Sequence, residues 1–276
     1  MGFLHLLHDM RRTVIQSPLT RDGQGVWRMD YADMERRIRA HGIKVVIFCS
    51  PHNPCGRVWT REEIEAAMDV YARCGCTVIS DEIWSDLILT HSPVPHLPLQ
   101  SVSEYGRERT VGLYAPSKTF NLAGLIGSYH IVRDPLLRDR LLAASEVSHY
   151  NGMNVLSMHA LIGAYSPEGR QWLGELKQVL SGNLRMAYDY FRTEFPDVET
   201  AMPEGTYMLY LDCADWCRSH GMNIRELQER GVRKGVIWQD GEAFCRSNTI
   251  RMNLALPHSR VQEAMDRLKK YVFIEG

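Results

Sequence analysis

Three side chains in the first half of the chain could do chemistry together: the amide of Asn53, the carboxylate of Asp81 and the amine of Lys118. They stand 28 and then 37 residues apart, each at the end of a short apolar run. An amine can form a Schiff base with an aldehyde. A carboxylate can pair with a ring nitrogen and keep it protonated, and an amide can donate to a phenolate oxygen. Asn53 lies in Ser50-Pro51-His52-Asn53-Pro54-Cys55-Gly56, where two prolines and a glycine fix a turn and hold the amide in place.

The elements that must position these groups can be read around them. Apolar runs at 44–49, 76–80, 110–115 and 127–132 predict strands. Thr60-Arg61-Glu62-Glu63 is a capping box that starts a helix after the first of them. Strands separated by helices or long crossovers predict a mostly parallel sheet covered on both faces. Open parallel sheets bind ligands at the carboxyl ends of their strands, which is where the three side chains fall. Gly23-Gln24-Gly25 predicts a hairpin-like turn between Pro18 and Trp27. After Asp134-Pro135 the pattern is helical, with a break at Ser166-Pro167 and a long helix over 169–195. Strands at 206–213 and 249–254, a short helix at 225–230 and an amphipathic helix at 258–271 follow. The expectation is an α/β large domain over 1–168 and a small C-terminal α+β domain, with its connecting helix, over 169–276.

The bulk composition narrows the function classes. A chain of 276 residues with 45% hydrophobic and 24% charged residues suits one large or two modest globular domains. A formal net charge of −1 gives no reason to expect nucleic acid or an acidic membrane as partner, and no window has the apolar length of a membrane helix. The terminal Met1-Gly2 invites a myristoylation reading, but Leu6 stands where Ser or Thr is needed. Cys49, Cys55, Cys74, Cys76, Cys213, Cys217 and Cys245 lack metal-site spacing and read as reduced thiols, which implies a reducing cytoplasm. His52, His91, His96 and His149 show no ligand spacing, so no metal is expected. Trp59, Trp84 and Tyr114 read as core or pocket wall.

Taken singly, each candidate has an ordinary explanation: a turn asparagine, solvated loop charge, a surface lysine, an arginine in a salt bridge. Four segments in order carry more weight: "SPHNPCGRVW", "VISDEIWSDL", "APSKTFNLAG" and "IRMNLALP". Together they resemble the fold-type I pyridoxal-phosphate enzymes, and within them the aminotransferase-related cysteine-sulfur β-lyases of the cystathionine β-lyase (MalY/PatB) group. The resemblance implies pyridoxal 5'-phosphate as cofactor, with Lys118 as its Schiff-base amine and as the base that removes the substrate α-proton. It implies Asp81 as partner of the pyridine nitrogen, Asn53 as donor to the phenolic oxygen and Ser117 as a phosphate contact. Arg251, with Asn53, is implied as a substrate-binding residue that grips the carboxylate, and a homodimer is implied as the assembly.

The chain departs from the family pattern in places. Trp84, implied as a cofactor-binding residue, stands where Tyr or His usually makes that contact, and Ala115 stands where a hydroxyl often helps bind phosphate. Measured against full-length relatives, roughly the first hundred residues have no counterpart here, and with them the usual phosphate loop. The sheet should then have open edges and exposed apolar faces that favour association. The implied function is a carbon–sulfur β-lyase acting on L-cystathionine or related L-cysteine S-conjugates. Two alternatives stay open: an aminotransferase using the same residues, and a non-catalytic relative that binds a partner.

Overall fold

The computed structural model describes residues 2–148 and 152–274. His149 lies outside them. The first half contains α1 (Gly2–Asp9), the paired strands β1 (Thr20–Arg21) and β2 (Trp27–Arg28), α2 (Tyr31–His41), β3 (Val45–Cys49), α3 (Arg61–Cys74) and β4 (Thr77–Asp81). It continues through α4 (Glu104–Arg109), β5 (Thr110–Tyr114), the single turn α5 (Pro116–Thr119) and β6 (Tyr129–Val132). Both halves of the expected capping box form at α3: Thr60 Oγ1 accepts from Glu63 N, and Glu63 Oε2 accepts from Thr60 N at 2.9 Å. The expected turn at 23–25 closes the β1–β2 hairpin.

The strands form a sheet in the order β3-β4-β5-β6, parallel except for β6, which runs antiparallel to β5. Between β5 and β6 the described residues form only the turn α5 and a short 3-10 turn that ends on Ile126, with φ at +50°, and no crossover helix. Helices α2 and α3 cover one face, where Phe48 and Val78 meet Met34, Ile38, Ile64 and Met68. The expectation of full cover on both faces fails on the other side. There Val45 is 54% exposed, and Ile47, Ile79 and Leu113 are half-buried. That more open face, through the register Cys49, Asp81, Leu113, His130, is the one that carries Asp81.

The second half begins with α6 (Pro135–Ser148), α7 (Val155–Ala164) and α8 (Pro167–Glu194). Ser166 caps α8 and Pro167 is its first residue, so the helix starts two residues before the expected position. Next come β7 (Glu199–Thr200), β8 (Met208–Asp212), α9 (Ala214–Ser219), α10 (Ile224–Arg233), β9 (Gln239–Asp240), β10 (Thr249–Asn253) and α11 (His258–Tyr271). The sheet β7-β8-β10-β9 is antiparallel throughout. Leu209, Leu211 and Ile250 of this sheet pack with Leu184 and Phe191 of α8 and Val261 and Met265 of α11. Trp84, Leu87 and Leu89, from the segment after β4, join the same core.

Helix α6 buries none of its residues, and α7 leaves Val155, Leu156 and Ile162 65%, 71% and 64% exposed. The seven cysteines are all free: Cys55, Cys76, Cys213 and Cys217 are buried, Cys49 and Cys74 are half-buried and Cys245 is exposed.

Candidate active site

The turn after β3 is built to hold Asn53 still. His52 N donates to Arg57 O at 2.8 Å and Gly56 N to His52 O at 2.7 Å. Gly56 has φ at +71°, and a Cβ there would lie 2.4 Å from Pro203 Cβ, so both backbone and space require glycine. Arg57, 6% exposed, staples the turn from below. It donates to both Glu63 oxygens at 2.8 and 2.7 Å, to Trp27 O at 3.1 Å and to Glu204. His52 packs inside the turn. It lies between Cys55 Sγ at 3.1 Å and the ring of Trp59, as the packing expectation had it.

The two ends of the chain meet at Asn53. Arg251, on β10, donates from Nη1 to Asn53 Oδ1 at 2.8 Å and from Nη2 to Gln239 Oε1, and its guanidinium lies 4.7 Å over the Phe244 ring. A guanidinium can only donate, so this contact settles the amide's orientation: Oδ1 is occupied and Nδ2 remains as a donor. Burial lowers the Arg251 pKa. A site that brings the guanidinium a carboxylate would restore its preference for charge.

Asp81 ends β4, 6% exposed. Its carboxylate accepts one backbone hydrogen bond, from Ile83 N at 3.2 Å. Burial, and after it the neighbouring Glu82 charge, push its pKa up to about 6, opposed by the Ile83 donor and by the nearby Lys118. It borders a cleft of about 230 Å³ lined also by Ile83, Leu113, Tyr114, Ser128 and Tyr129. A buried carboxylate of this kind fits a protonated ring nitrogen, and the Asn53 amide fits an oxygen acceptor. The donor set therefore suits the ring of pyridoxal phosphate. Lys118 and Ser117 share the turn α5 directly after β5, both half-buried, and the Ser117 hydroxyl makes no hydrogen bond among the described residues.

Trp84 stands apart from this group. It is 2% exposed in the second core, edge-on to Tyr207 at 4.8 Å, and its indole N–H makes no hydrogen bond among the described residues. The structure therefore brings Asn53 onto Arg251, sets Lys118 within electrostatic reach of Asp81, and packs Trp84 into the second core.

Sequence reasoning missed Glu82. It is fully buried rather than solvated, and it accepts from Ser80 Oγ at 2.9 Å, Leu99 N at 3.2 Å and the Tyr114 phenol at 2.9 Å. His96 Nε2 lies 2.8 Å from Glu82 Oε2, the oxygen that also accepts from Tyr114. The available signal was alternation: a residue following a cleft-facing strand end points to the opposite face. The Tyr114 ring, seated over Gly112, stacks on Tyr129 at 5.4 Å.

Comparison with known proteins accords with this geometry. The family model for aminotransferase class I and II matches residues 3–268. The chain is 33% identical over 270 residues to cystathionine beta-lyase PatB of Bacillus subtilis, covering 97% of this chain and 68% of that protein. Among solved structures, cystalysin of Treponema denticola, which contains a pyridoxal 5'-phosphate cofactor, superposes with a TM-score of 0.89 at 30% identity. That match covers 97% of this chain and 67% of cystalysin. The PLP-bound C-S lyase of Staphylococcus hominis gives a TM-score of 0.89 at 26% identity, over 99% of this chain and 70% of that one. The chain thus spans about two thirds of the length of these relatives.

Proposed function

The chain belongs to the class I and II aminotransferase family, and from that membership we propose that it is a pyridoxal-phosphate-dependent carbon–sulfur β-lyase of the cytoplasm. Its substrates are L-cystathionine or related L-cysteine S-conjugates, cleaved with one water to pyruvate, ammonia and a thiol. The observation that carries the reading is Asp81, a carboxylate buried at a strand end, within electrostatic reach of Lys118 and with a single backbone donor of its own.

Lys118 would hold the cofactor aldehyde, Asp81 its pyridine nitrogen, Asn53 Nδ2 its phenolic oxygen and Ser117 its phosphate. When bound, the cofactor supplies an electron sink for the pair released at the substrate α-carbon. Arg251 grips the substrate carboxylate with its planar fork. Its contact to Asn53 Oδ1 ties that grip to the group that orients the ring. Lys118 Nζ, freed from the aldehyde when the substrate amine replaces it, would take the α-proton, and the thiolate would leave from Cβ. Asp81 stays ionised beside the ring nitrogen and keeps it protonated.

A homodimer completes the reading. The apolar side chains of α6 and α7 that this chain leaves in solvent, Val147, Val155 and Leu156 among them, are 65% to 84% exposed and favour association.

The test is a visible absorption titration of the purified chain with pyridoxal phosphate, beside Lys118→Ala, followed by pyruvate release from L-cystathionine without a keto acid. A band that saturates in the parent and vanishes in the variant, with pyruvate formed, is the expected result. No band in folded protein, or turnover only with an added keto acid, would overturn the lyase assignment.

A further inference from the structure

Lys118 sits in one turn of helix that has little to hold it. Ala115 occupies the N-cap of α5 and offers no side-chain acceptor to the turn's free N–H groups. An isolated turn is not self-sustaining, because nucleation fixes several dihedrals for one hydrogen bond. The tether comes from outside. Thr119, 1% exposed, donates its hydroxyl to Asp86 Oδ2 at 3.0 Å. The same oxygen accepts from the Tyr165 phenol, at the C-terminus of α7, at 2.8 Å. Phe120, the next residue, packs edge-on to Tyr165 at 5.3 Å and stacks on Trp172 of α8 at 5.8 Å.

We propose that Asp86 is a positioning residue for Lys118, holding Thr119 and Tyr165 on one carboxylate oxygen and so fixing the turn that presents the amine. The role rests on the reading of Lys118 as the cofactor amine. Asp86 acts through Thr119 and touches neither cofactor nor substrate. The Tyr165 contact extends the clamp: a shift of α7 pulls on the oxygen that holds Thr119, so the two helices set the amine's place together.

The test needs no cofactor. Trace acetylation with acetic anhydride, read by mass spectrometry, gives the reactivity of Lys118 relative to Lys177 on α8 as internal reference. Thr119→Val keeps the shape and removes the hydroxyl, and should raise the Lys118 ratio by about five-fold, the scale set by losing one hydrogen bond. Thr119→Ser should return it to the parent value, and Asp86→Asn should shift it in the same direction as Thr119→Val. Unchanged ratios in both Thr119→Val and Asp86→Asn, in chains that melt with the parent, would overturn the proposal. A rise that Thr119→Ser does not reverse would do so too. If Thr119→Val fails to fold, Asp86→Asn carries the test, since its amide preserves the volume while removing the charge that strengthens both hydrogen bonds. The labelling result is independent of the absorption titration, so a clamp that fails and a lysine that never takes the cofactor give different outcomes.

Discussion

Asp81→Asn should stabilise the cofactor-free chain at neutral pH and leave it unchanged in acid. Burial, with Glu82 adding to it, raises the Asp81 carboxyl from its ordinary 3.8 to about 6. Between those values the folded state holds a proton that the unfolded chain has released. Stability therefore falls as pH rises through that window and stays at the lower level above it. A shift of about 2 units at roughly 1.4 kcal/mol each makes the ionised carboxylate cost about 3 kcal/mol. Asparagine resembles the protonated acid and carries no charge to bury. Its advantage should be near zero at about pH 4 and close to 3 kcal/mol by about pH 8. Urea unfolding of both proteins, followed by circular dichroism across that range, measures the difference. Parallel pH profiles, or an asparagine variant less stable at the alkaline end, would refute the reasoning. Saturating pyridoxal phosphate should reverse the order. A protonated ring nitrogen at about 4 Å from the carboxylate is worth about 4 kcal/mol at an effective dielectric of 20.

Three further outcomes follow from the geometry. Arg251→Lys removes the planar fork and the contact to Asn53, so kcat/KM for an L-cysteine conjugate should fall by about 2 kcal/mol, a factor near thirty, with most of the loss in KM. Gly56→Ala forces a side chain into a left-handed turn 2.4 Å from Pro203 and should lower stability by about 2 kcal/mol in thermal unfolding. Leu156→Glu, at a site 71% exposed on α7, should leave the melting temperature unchanged and shift the sedimentation profile toward monomer.

Much of the frame was legible because local rules and tertiary demand agreed. The Thr60 capping box, the β1–β2 turn and the final helix His258–Tyr271 formed where their signals put them. Helix α2 was missed although its punctuation is present: Asp30 accepts from Asp33 N at its start, and Gly42 closes it at φ +60°. Its apolar residues are few, and Met34 and Ile38 are the ones it buries, so periodicity gave a weak signal. The direction of β6 was hidden for a different reason. The connection from β5 holds only α5 and a short 3-10 turn that ends on Ile126 at φ +50°, a conformation that a β-branched residue rarely adopts and composition cannot reveal.

The site was legible as residues and not as contacts. Asn53 and Arg251 are 198 positions apart, and their 2.8 Å hydrogen bond exists only once two sheets are in place. The segment from Asp81 to Asp86 makes the same point at short range. Its three carboxylates look alike in the sequence, yet the fold gives each a different task. Asp81 faces the cleft with one backbone donor and keeps a raised pKa. Glu82, one residue on, points the other way and spends its oxygens on Ser80, Leu99, His96 and Tyr114. Asp86 turns toward Thr119 and Tyr165. What separates them is the number of donors each meets. A carboxylate surrounded by donors is committed to structure, whereas one left short of them at a cleft is available to a ligand's cation. On that criterion Asp81 is the member of the three that is free to bind.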